Sequence, residues 1–251
     1  MTRAVLVHGN PETAVAWSSL VDALGHDTLV ALSPPGFGAP IPDGFGATAD
    51  EHVTWLVGAL EEMAEPVDLV GHDRGGGHGV RVAVERPDLL RSWAVDIAGC
   101  FAPDYVWHDL AQVWQTPGAG EQAVSTMVAT AMADLAARDE AMGMARKAAW
   151  SVAEATDEAM GRCILARYRS AAQPYLATLG RQLPRAGVRL GLVIAAERDA
   201  YVGGVERARR AAEQAGARLV VRGGVGHWWM LQDPEAGAGV LRDLWGGLGQ
   251  W

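Results

Sequence analysis

An aspartate flanked by glycines has the clearest chemical setting in this chain. Residues 71–75 read Gly-His-Asp-Arg-Gly, between an apolar run at 67–70 and a helix-forming run at 79–84. A strand that turns sharply into a helix holds the middle side chain of the turn exposed above the sheet. Glycines on both sides allow the close backbone packing that such a turn requires. The sequence therefore predicts that Asp73 presents a carboxylate able to act as a nucleophile.

Two further residues have the types and order that would support this carboxylate. Asp199 follows a predicted strand at 190–195, and His227 follows the last predicted strand in a glycine-rich segment. Loops at the carboxyl ends of parallel strands converge on one site. We expect His227 to act as general base and Asp199 to orient its imidazole. Asp96, at the end of the fourth predicted strand, is the alternative orienting acid.

The elements that must position these residues alternate along the chain. The predicted strands are 4–7, 28–32, 67–70, 92–98, 190–195 and 217–221. The predicted helices outside the middle segment are 14–24, 49–64, one that includes 79–84 and stops near Pro87, 205–215 and 235–248. This alternation is typical of an α/β protein with a mostly parallel sheet. Residues 100–184 lack strand-like runs and are rich in Ala, Met and Trp, which predicts an inserted helical cap. The expected division is core 1–99, cap 100–184 and core 185–251.

Composition limits the classes of partner. The chain has 251 residues, 49% of them hydrophobic, and a net charge of −9, which disfavours nucleic acid and anionic membranes. Two cysteines imply no disulfide framework, and the run at 4–7 is too short for a signal peptide. We expect a cytoplasmic protein, monomer or homodimer, that acts on a small molecule.

Four segments carry a resemblance to a known family: His-Gly-Asn-Pro at 8–11, the turn at 71–75, Glu-Arg-Asp at 197–199, and Gly-His-Trp-Trp at 226–229. The chain resembles the α/β-hydrolases with an Asp nucleophile, the group of epoxide hydrolases and of haloalkane and haloacid dehalogenases. The resemblance implies the α/β-hydrolase fold, flanking helices and an inserted cap, with the two leading strands of the fold missing. It implies no cofactor and no metal.

The resemblance also implies a two-step mechanism. Asp73 would displace a halide, or open an epoxide, at an sp³ carbon and form an alkyl ester. Water activated by His227 would then hydrolyse that ester. The backbone N–H groups of Arg74 and Asn10 are the expected donors to the oxyanion. The carboxylate replaces the usual serine, since no serine of this chain lies in a Gly-x-Ser-x-Gly setting.

The sequence leaves two subclasses open, epoxide hydrolases and dehalogenases, which differ in the leaving group. We place epoxide hydrolysis first. An epoxide needs an acid, for which Tyr168 is the first candidate, followed by Tyr105 and Tyr175. A halide needs N–H donors, and Asn10 resembles the halide-binding residue of haloalkane dehalogenases. Arg74 resembles the arginine after the nucleophile of fluoroacetate dehalogenase, but the second arginine expected three residues on is a glycine here. Tryptophans are expected to line the substrate pocket or to pack in the core: Trp107, Trp114, Trp150 and Trp228.

Two other classes of protein are alternatives to an enzyme of this kind. A binding protein on the same fold would close its cap over a ligand without turnover. A dinucleotide-binding frame starting at Gly75 would require glycine at position 80, which is valine. Among the remaining histidines, His8 and His72 are expected to support the site, whereas His26, His52 and His108 are expected to be solvated.

Overall fold

A six-stranded parallel sheet forms the centre of the molecule. The computed structural model describes residues 3–25 and 28–247. The strands are β1 (Ala4–Val7), β2 (Leu29–Leu32), β3 (Val67–Gly71), β4 (Leu90–Val95), β5 (Leu190–Ala196) and β6 (Arg218–Arg222). Their order is β2-β1-β3-β4-β5-β6, and every neighbouring pair is parallel. The predicted α/β fold with a parallel sheet is confirmed.

Helices cover the sheet. They are α1 (Ser18–Leu24), α2 (Ala49–Glu61), α3 (Asp73–Glu85), α4 (Asp109–Gln115), α5 (Ala119–Ala129), α6 (Met132–Ala141), α7 (Arg146–Ala155), α8 (Glu158–Ser170), α9 (Tyr175–Gly180), α10 (Gly204–Ala215), α11 (Trp229–Gln232) and α12 (Pro234–Gly246). Helices α4 to α9 all lie between β4 and β5 in the chain, the segment where a helical cap was predicted. The boundaries at 99/100 and 184/185 remain predictions.

The strands β1, β3 and β4 are almost fully buried because helices pack on both faces of the sheet. This explains why they read as nearly continuous apolar runs rather than as alternating ones. Asp68 is the polar exception in β3, and its carboxylate accepts hydrogen bonds from Arg91 and Ser92. The carboxyl ends of the three strands lie side by side and lead directly into the loops that carry the candidate site residues.

Predicted and observed boundaries differ most at β4. A strand was predicted over 92–98, but β4 begins at Leu90 and ends at Val95, and Ala98–Phe101 forms a 3-10 turn. The side chain of Asp96 accepts the backbone N–H of Asp73, which places the end of β4 against the start of α3. The predicted end of the last helix, residue 248, lies outside the described residues. In the part of the chain that the structure describes, no helix is long and apolar enough to cross a membrane.

The turn between β3 and α3 is packed against the end of β1. A Cβ atom on Gly75 would lie 2.2 Å from the carbonyl oxygen of Val7 and 2.5 Å from that of His8. Both obstacles are backbone atoms, so a side chain here would force β1 and α3 apart. In contrast, a Cβ atom on Gly77 would meet nothing nearer than Nη2 of Arg74, at 4.0 Å.

We predict that Gly75→Ala lowers the free energy of unfolding by about 2–3 kcal/mol, because the added methyl group overpacks two backbone segments. The matched variant Gly77→Ala places the same methyl group in the same helix without a clash. It should be neutral or stabilising by up to about 1 kcal/mol through helix propensity. Urea unfolding of both variants provides the measurement. Equal stability of the two would contradict this account of the turn.

Candidate active site

Asp73 opens α3 in a strained backbone conformation. Its φ of 44° lies in the left-handed region that residues with a Cβ rarely adopt. The conformation is held by the hydrogen bond from its own N–H to Oδ1 of Asp96, at 2.8 Å. On the other side, the N–H of Asn10 donates to Oδ2 of Asp73 at 3.3 Å. The carboxylate lies over Gly9, where a Cβ atom would come within 2.5 Å of Oδ2.

His227 and Asp199 form a hydrogen-bonded pair beside this carboxylate. Nδ1–H of His227 donates to Oδ2 of Asp199 at 2.7 Å, and Oδ1 of Asp199 accepts the N–H of Tyr201 at 2.8 Å. Burial opposes the charged form of His227, but the Asp199 carboxylate outweighs it and raises the pKa of the imidazole. With Nδ1 protonated, the lone pair of Nε2 is free to accept a proton, as a general base requires.

Asp96 is hydrogen-bonded to groups other than His227. Its Oδ2 accepts hydrogen bonds from Nδ1 of His72 at 2.5 Å and from Nε1 of Trp229 at 2.8 Å, and its Oδ1 accepts the N–H of Asp73. These contacts occupy both oxygens with groups other than His227. The alternative in which Asp96 orients His227 is therefore corrected: in this structure the acid bonded to His227 is Asp199, and Asp96 holds the turn.

Glu12 is a buried acid that the sequence analysis missed. Its Oε1 accepts hydrogen bonds from Nε2 of His72 at 3.0 Å and Nε1 of Trp228 at 2.7 Å, and its Oε2 accepts the N–H of Gly9 at 2.8 Å. The sequence did contain a signal for Glu12: an acid directly after the His-Gly-Asn-Pro loop. Because this loop follows a buried strand, such an acid can lie at the site. Glu12 thus connects the loop that carries Asn10 to the histidine that precedes Asp73.

The ionisation of this network follows from its geometry. Burial disfavours a charged His72, but Asp96 and Glu12 on its two sides raise its pKa well above the ordinary value. Burial likewise opposes a charged Glu12, yet His72 lowers the pKa of Glu12 from 4.5 to about 2. A protonated imidazole between two carboxylates, with the protons bound at both ring nitrogens, is the arrangement that these shifts describe.

Three side chains of the site have the types that bind metal ions. Glu12, His72 and His227 offer donor atoms that lie within 4.8 Å of one another. However, both ring nitrogens of His72 donate to carboxylates, so neither has a lone pair for a metal ion. The cluster therefore has the chemistry of a buried ion pair rather than of a metal site.

A cavity of about 910 Å³, including its open mouth, extends from Asp73 toward the inserted helices. Its wall contains these predicted site residues: Asn10, Asp73, Trp114, Tyr168, His227 and Trp228. The rest of the wall is largely apolar, with Leu110, Met127, Met142 and Met144 among its members. Asp73, His227 and Tyr168 thus lie in the wall of the same cavity.

Two tyrosines face this cavity. Tyr168 lies on α8, and burial raises the pKa of its hydroxyl above the ordinary value, so the group keeps its proton. Tyr201, which the sequence analysis missed, packs its ring 5.1 Å from that of His227. The sequence signal for Tyr201 was its position two residues after Asp199, in the same loop. The other candidates are engaged outside this wall: Tyr105 donates to the carbonyl oxygen of Tyr201, and Tyr175 donates to Asp50.

The side chains of Arg74 and Trp107 do not belong to the cavity wall. Of the two places expected for Trp107, the pocket or the core, it lies in the core. The Arg74 guanidinium lies 5.0 Å from the ring centre of Trp107 and 5.9 Å from that of Tyr168. The arginine thus stacks behind these rings, away from the space next to Asp73. Trp150 also lies elsewhere, on an open groove beside α7.

The expected exposure of the histidines needs correction as well. His52 is fully buried, with its ring nitrogens 2.9 Å and 3.1 Å from the carbonyl oxygens of Thr48 and Pro35, and His108 is half-buried in the wall of the cavity. Both were predicted to be solvated. His26 lies outside the described residues. His8 donates to the carbonyl oxygen of Gly9, in agreement with a supporting role.

The chain matches a known family over most of its length. Residues 4–240 match the alpha/beta hydrolase family, so the chain belongs to that family. The resemblance to α/β-hydrolases is thereby confirmed.

Individual relatives span a range of hydrolases. The chain is 31% identical over 93 residues to the (E)-2-((N-methylformamido)methylene)succinate hydrolase of Acinetobacter baylyi (strain ATCC 33305 / BD413 / ADP1), a segment that covers 36% of this chain and only 35% of that protein. Among solved structures, a Thermogutta terrifontis esterase superposes with a TM-score of 0.76 (17% identity, 99% and 90% coverage). A loop variant of the haloalkane dehalogenase DbeA from Bradyrhizobium elkanii gives 0.70 (18% identity, 99% and 92% coverage). An enol-lactonase from Burkholderia xenovorans LB400 gives 0.69 (19% identity, 98% and 92% coverage). At these identities the structures show the shared fold.

We predict that Glu12→Gln lowers the free energy of unfolding by about 3 kcal/mol near pH 6, because it leaves the buried charge of His72 with one carboxylate fewer. The pH dependence should also change. The depressed pKa of Glu12 stabilises the wild-type fold above pH 4.5, and this contribution is lost as the pH falls toward about 2. Urea unfolding between these pH values should show a smaller loss of stability in the variant.

Glu62→Gln is the matched control, since Glu62 is exposed at the end of α2. It should reproduce the wild-type curve at every pH. Parallel curves for wild type and Glu12→Gln would show that the Glu12–His72 pair contributes no pH-dependent stability.

Proposed function

We propose that this chain is an α/β-hydrolase with an Asp nucleophile that opens epoxides on small or medium apolar substrates. One observation carries the proposal: the strained turn presents the Asp73 carboxylate to a cavity that also contains His227, bonded to Asp199, and the hydroxyl-bearing Tyr168. A carboxylate displaces a leaving group at an sp³ carbon, whereas a serine alkoxide is the group needed for acyl transfer.

In the first step, an oxygen of Asp73 attacks an epoxide carbon and the ring C–O bond breaks. The alkoxide that forms takes the proton of the Tyr168 hydroxyl, with Tyr201 as the second acid within the same wall. The raised pKa of Tyr168 keeps this proton in place until the alkoxide develops. The product of the step is a hydroxyalkyl ester of Asp73 and a tyrosinate.

In the second step, Nε2 of His227 removes a proton from water, and the water oxygen attacks the carbonyl carbon of the ester. The oxyanion accepts the N–H of Asn10, the donor that already lies 3.3 Å from Oδ2, and the N–H of Arg74 is the proposed second donor. Collapse breaks the bond between the acyl carbon and the alkyl oxygen, which takes the proton from His227. The new carboxylic acid of Asp73 returns a proton to the tyrosinate, so the net reaction adds water to the epoxide.

A neutral substrate fits the cavity better than a haloacid does. A substrate carboxylate would need an unpaired cation in the cavity. Arg74 stacks behind Trp107 and Tyr168 instead, and Arg138 in the cavity wall is already paired with Asp139. The cavity wall contains methionine and leucine side chains, which favour an apolar substrate.

Haloalkane dehalogenation is the second candidate, and one specific observation favours it. Asn10 is in the cavity wall. Its side-chain Nδ2 is buried and donates no hydrogen bond to any described residue. Such a group is suited to hold a departing halide. Nε1 of Trp228, by comparison, already donates to Glu12. A binding protein without turnover is the remaining alternative.

We predict that His227→Gln traps the covalent intermediate, because the ester forms without the general base but is not hydrolysed. After incubation with a panel of epoxides and haloalkanes, mass spectrometry of the peptide that contains Asp73 should show an added mass. An epoxide adds its whole mass, whereas a haloalkane adds its mass less that of the hydrogen halide. Asp73→Asn with His227→Gln is the control and should stay unmodified. A panel that leaves every Asp73 peptide unmodified would favour the binding protein.

The two subclasses differ in their dependence on Tyr168. If epoxides are the substrates, Tyr168→Phe should lower kcat about 100-fold or more through loss of the acid. Halide release needs no such proton, so a dehalogenase should lose far less. The matched control is Tyr175→Phe, whose hydroxyl bonds Asp50 outside the cavity wall and should leave kcat near the wild-type value. Equal epoxide turnover by wild type and Tyr168→Phe would remove Tyr168 from the mechanism.

A further inference from the structure

Two arginines are buried behind the candidate nucleophile without a carboxylate to bind. Arg74 and Arg167 are 3% and 1% exposed. The hydrogen-bond partners of Arg167 are the carbonyl oxygen of Arg74 at 3.2 Å and Nδ1 of His78 at 3.5 Å, and neither is an anion. Within residues 3–25 and 28–247, Nε and Nη1 of Arg74 and Nε of Arg167 donate no hydrogen bond. Buried cations of this kind are costly unless an anion accompanies them.

A second, small cavity lies next to these groups. Its volume is about 220 Å³ including its open mouth, and the free space inside has room for about one water-sized particle. Arg74 and His78 are in its wall, and apolar side chains such as Phe101 and Leu179 provide much of the remainder. No residue lines both this cavity and the one that contains Asp73. The small cavity is therefore separate from the proposed substrate site.

The polar groups of this wall that lack a partner in the described part of the chain are all hydrogen-bond donors. Because a guanidinium donates only, Nδ1 of His78 is the acceptor in its contact with Arg167, and the ring proton is on Nε2. Nε2 of His78 donates to no described residue. Burial and the nearby Arg167 and His52 hold the pKa of His78 well below its usual value, so the ring is neutral and Nε2–H is its only donor.

The other arginine of the wall, Arg81, already has hydrogen-bond partners. Arg81 donates to Glu85, Asp50 and Tyr175, so its charge is balanced on the outer side of α3. The unsatisfied donors are those of Arg74 and His78. They lie in the first two turns of α3, where the positive end of the helix dipole adds to the attraction for an anion.

We propose that the small cavity binds one chloride ion between the side chains of Arg74 and His78. A monatomic anion matches the space, whereas phosphate, sulfate or a substrate carboxylate is too large for it. Chloride accepts several N–H groups at once and carries one negative charge toward the two buried guanidinium groups. The bound ion stabilises the fold around the start of α3 and takes no covalent part in hydrolysis.

Thermal unfolding at constant ionic strength tests the proposal. Replacing gluconate, which the cavity cannot hold, by chloride from about 1 to about 200 mM should raise the Tm of wild type saturably, by about 3–6 °C. Bromide should act similarly. His78→Phe removes a donor and fills the space, so its Tm should be the same in chloride and gluconate. His108→Phe, a change in the wall of the larger cavity, should retain the chloride effect.

A bromide-soaked crystal of the wild-type protein locates the ion without any variant, and so decides the matter even if His78→Phe does not fold. An anomalous peak between Arg74 and His78 supports the proposal. It is overturned by a peak confined to the cavity beside Asp73, by the absence of a peak in the small cavity, or by an unchanged chloride effect in folded His78→Phe.

Discussion

The backbone of Asp73 is the constraint on which the rest of the site depends. A residue with a Cβ in the left-handed region costs of the order of 1–3 kcal/mol, so the surroundings must impose it. Asp96 does this by accepting the N–H of Asp73, and Gly75 does it by allowing α3 to approach the end of β1. The result is a carboxylate that lies against the N–H of Asn10 rather than against its own helix.

Charge balance differs between the two sides of this turn. On the side of His227, a protonated His72 lies between Glu12 and Asp96, so the buried charges are paired. These pairs fix the positions of two loops at once, because Glu12 also bonds Gly9 and Trp228. On the other side, Arg74 and Arg167 have no carboxylate partner among the residues with described placement. The nucleophile thus stands between a network in which one imidazolium is bonded to two carboxylates and two guanidinium groups that lack a carboxylate partner among the described residues.

The position of the Arg74 side chain limits the chemistry that the site supports. Its stacking on Trp107 and Tyr168 removes it from the space beside Asp73 and leaves that space lined by neutral or acidic groups and by His227 and Arg138. Tyr168 consequently has two roles in the proposed scheme: one face of its ring shields the arginine, and its hydroxyl serves the cavity. This dual position explains why an arginine next to the nucleophile is compatible with a neutral, apolar substrate.

The sequence alone determined the order of strands and helices, the family and the identities of Asp73, Asp199 and His227 as candidates. These follow from local signals: apolar periodicity, glycines around a turn, and polar residues at strand ends. Only the tertiary structure decided between Asp199 and Asp96 as the partner of His227, because both follow strands and only distance separates them. It also decided the burial of Glu12 and His52, and the stacking of Arg74. Side-chain direction depends on contacts between residues far apart in the chain, which no local pattern encodes.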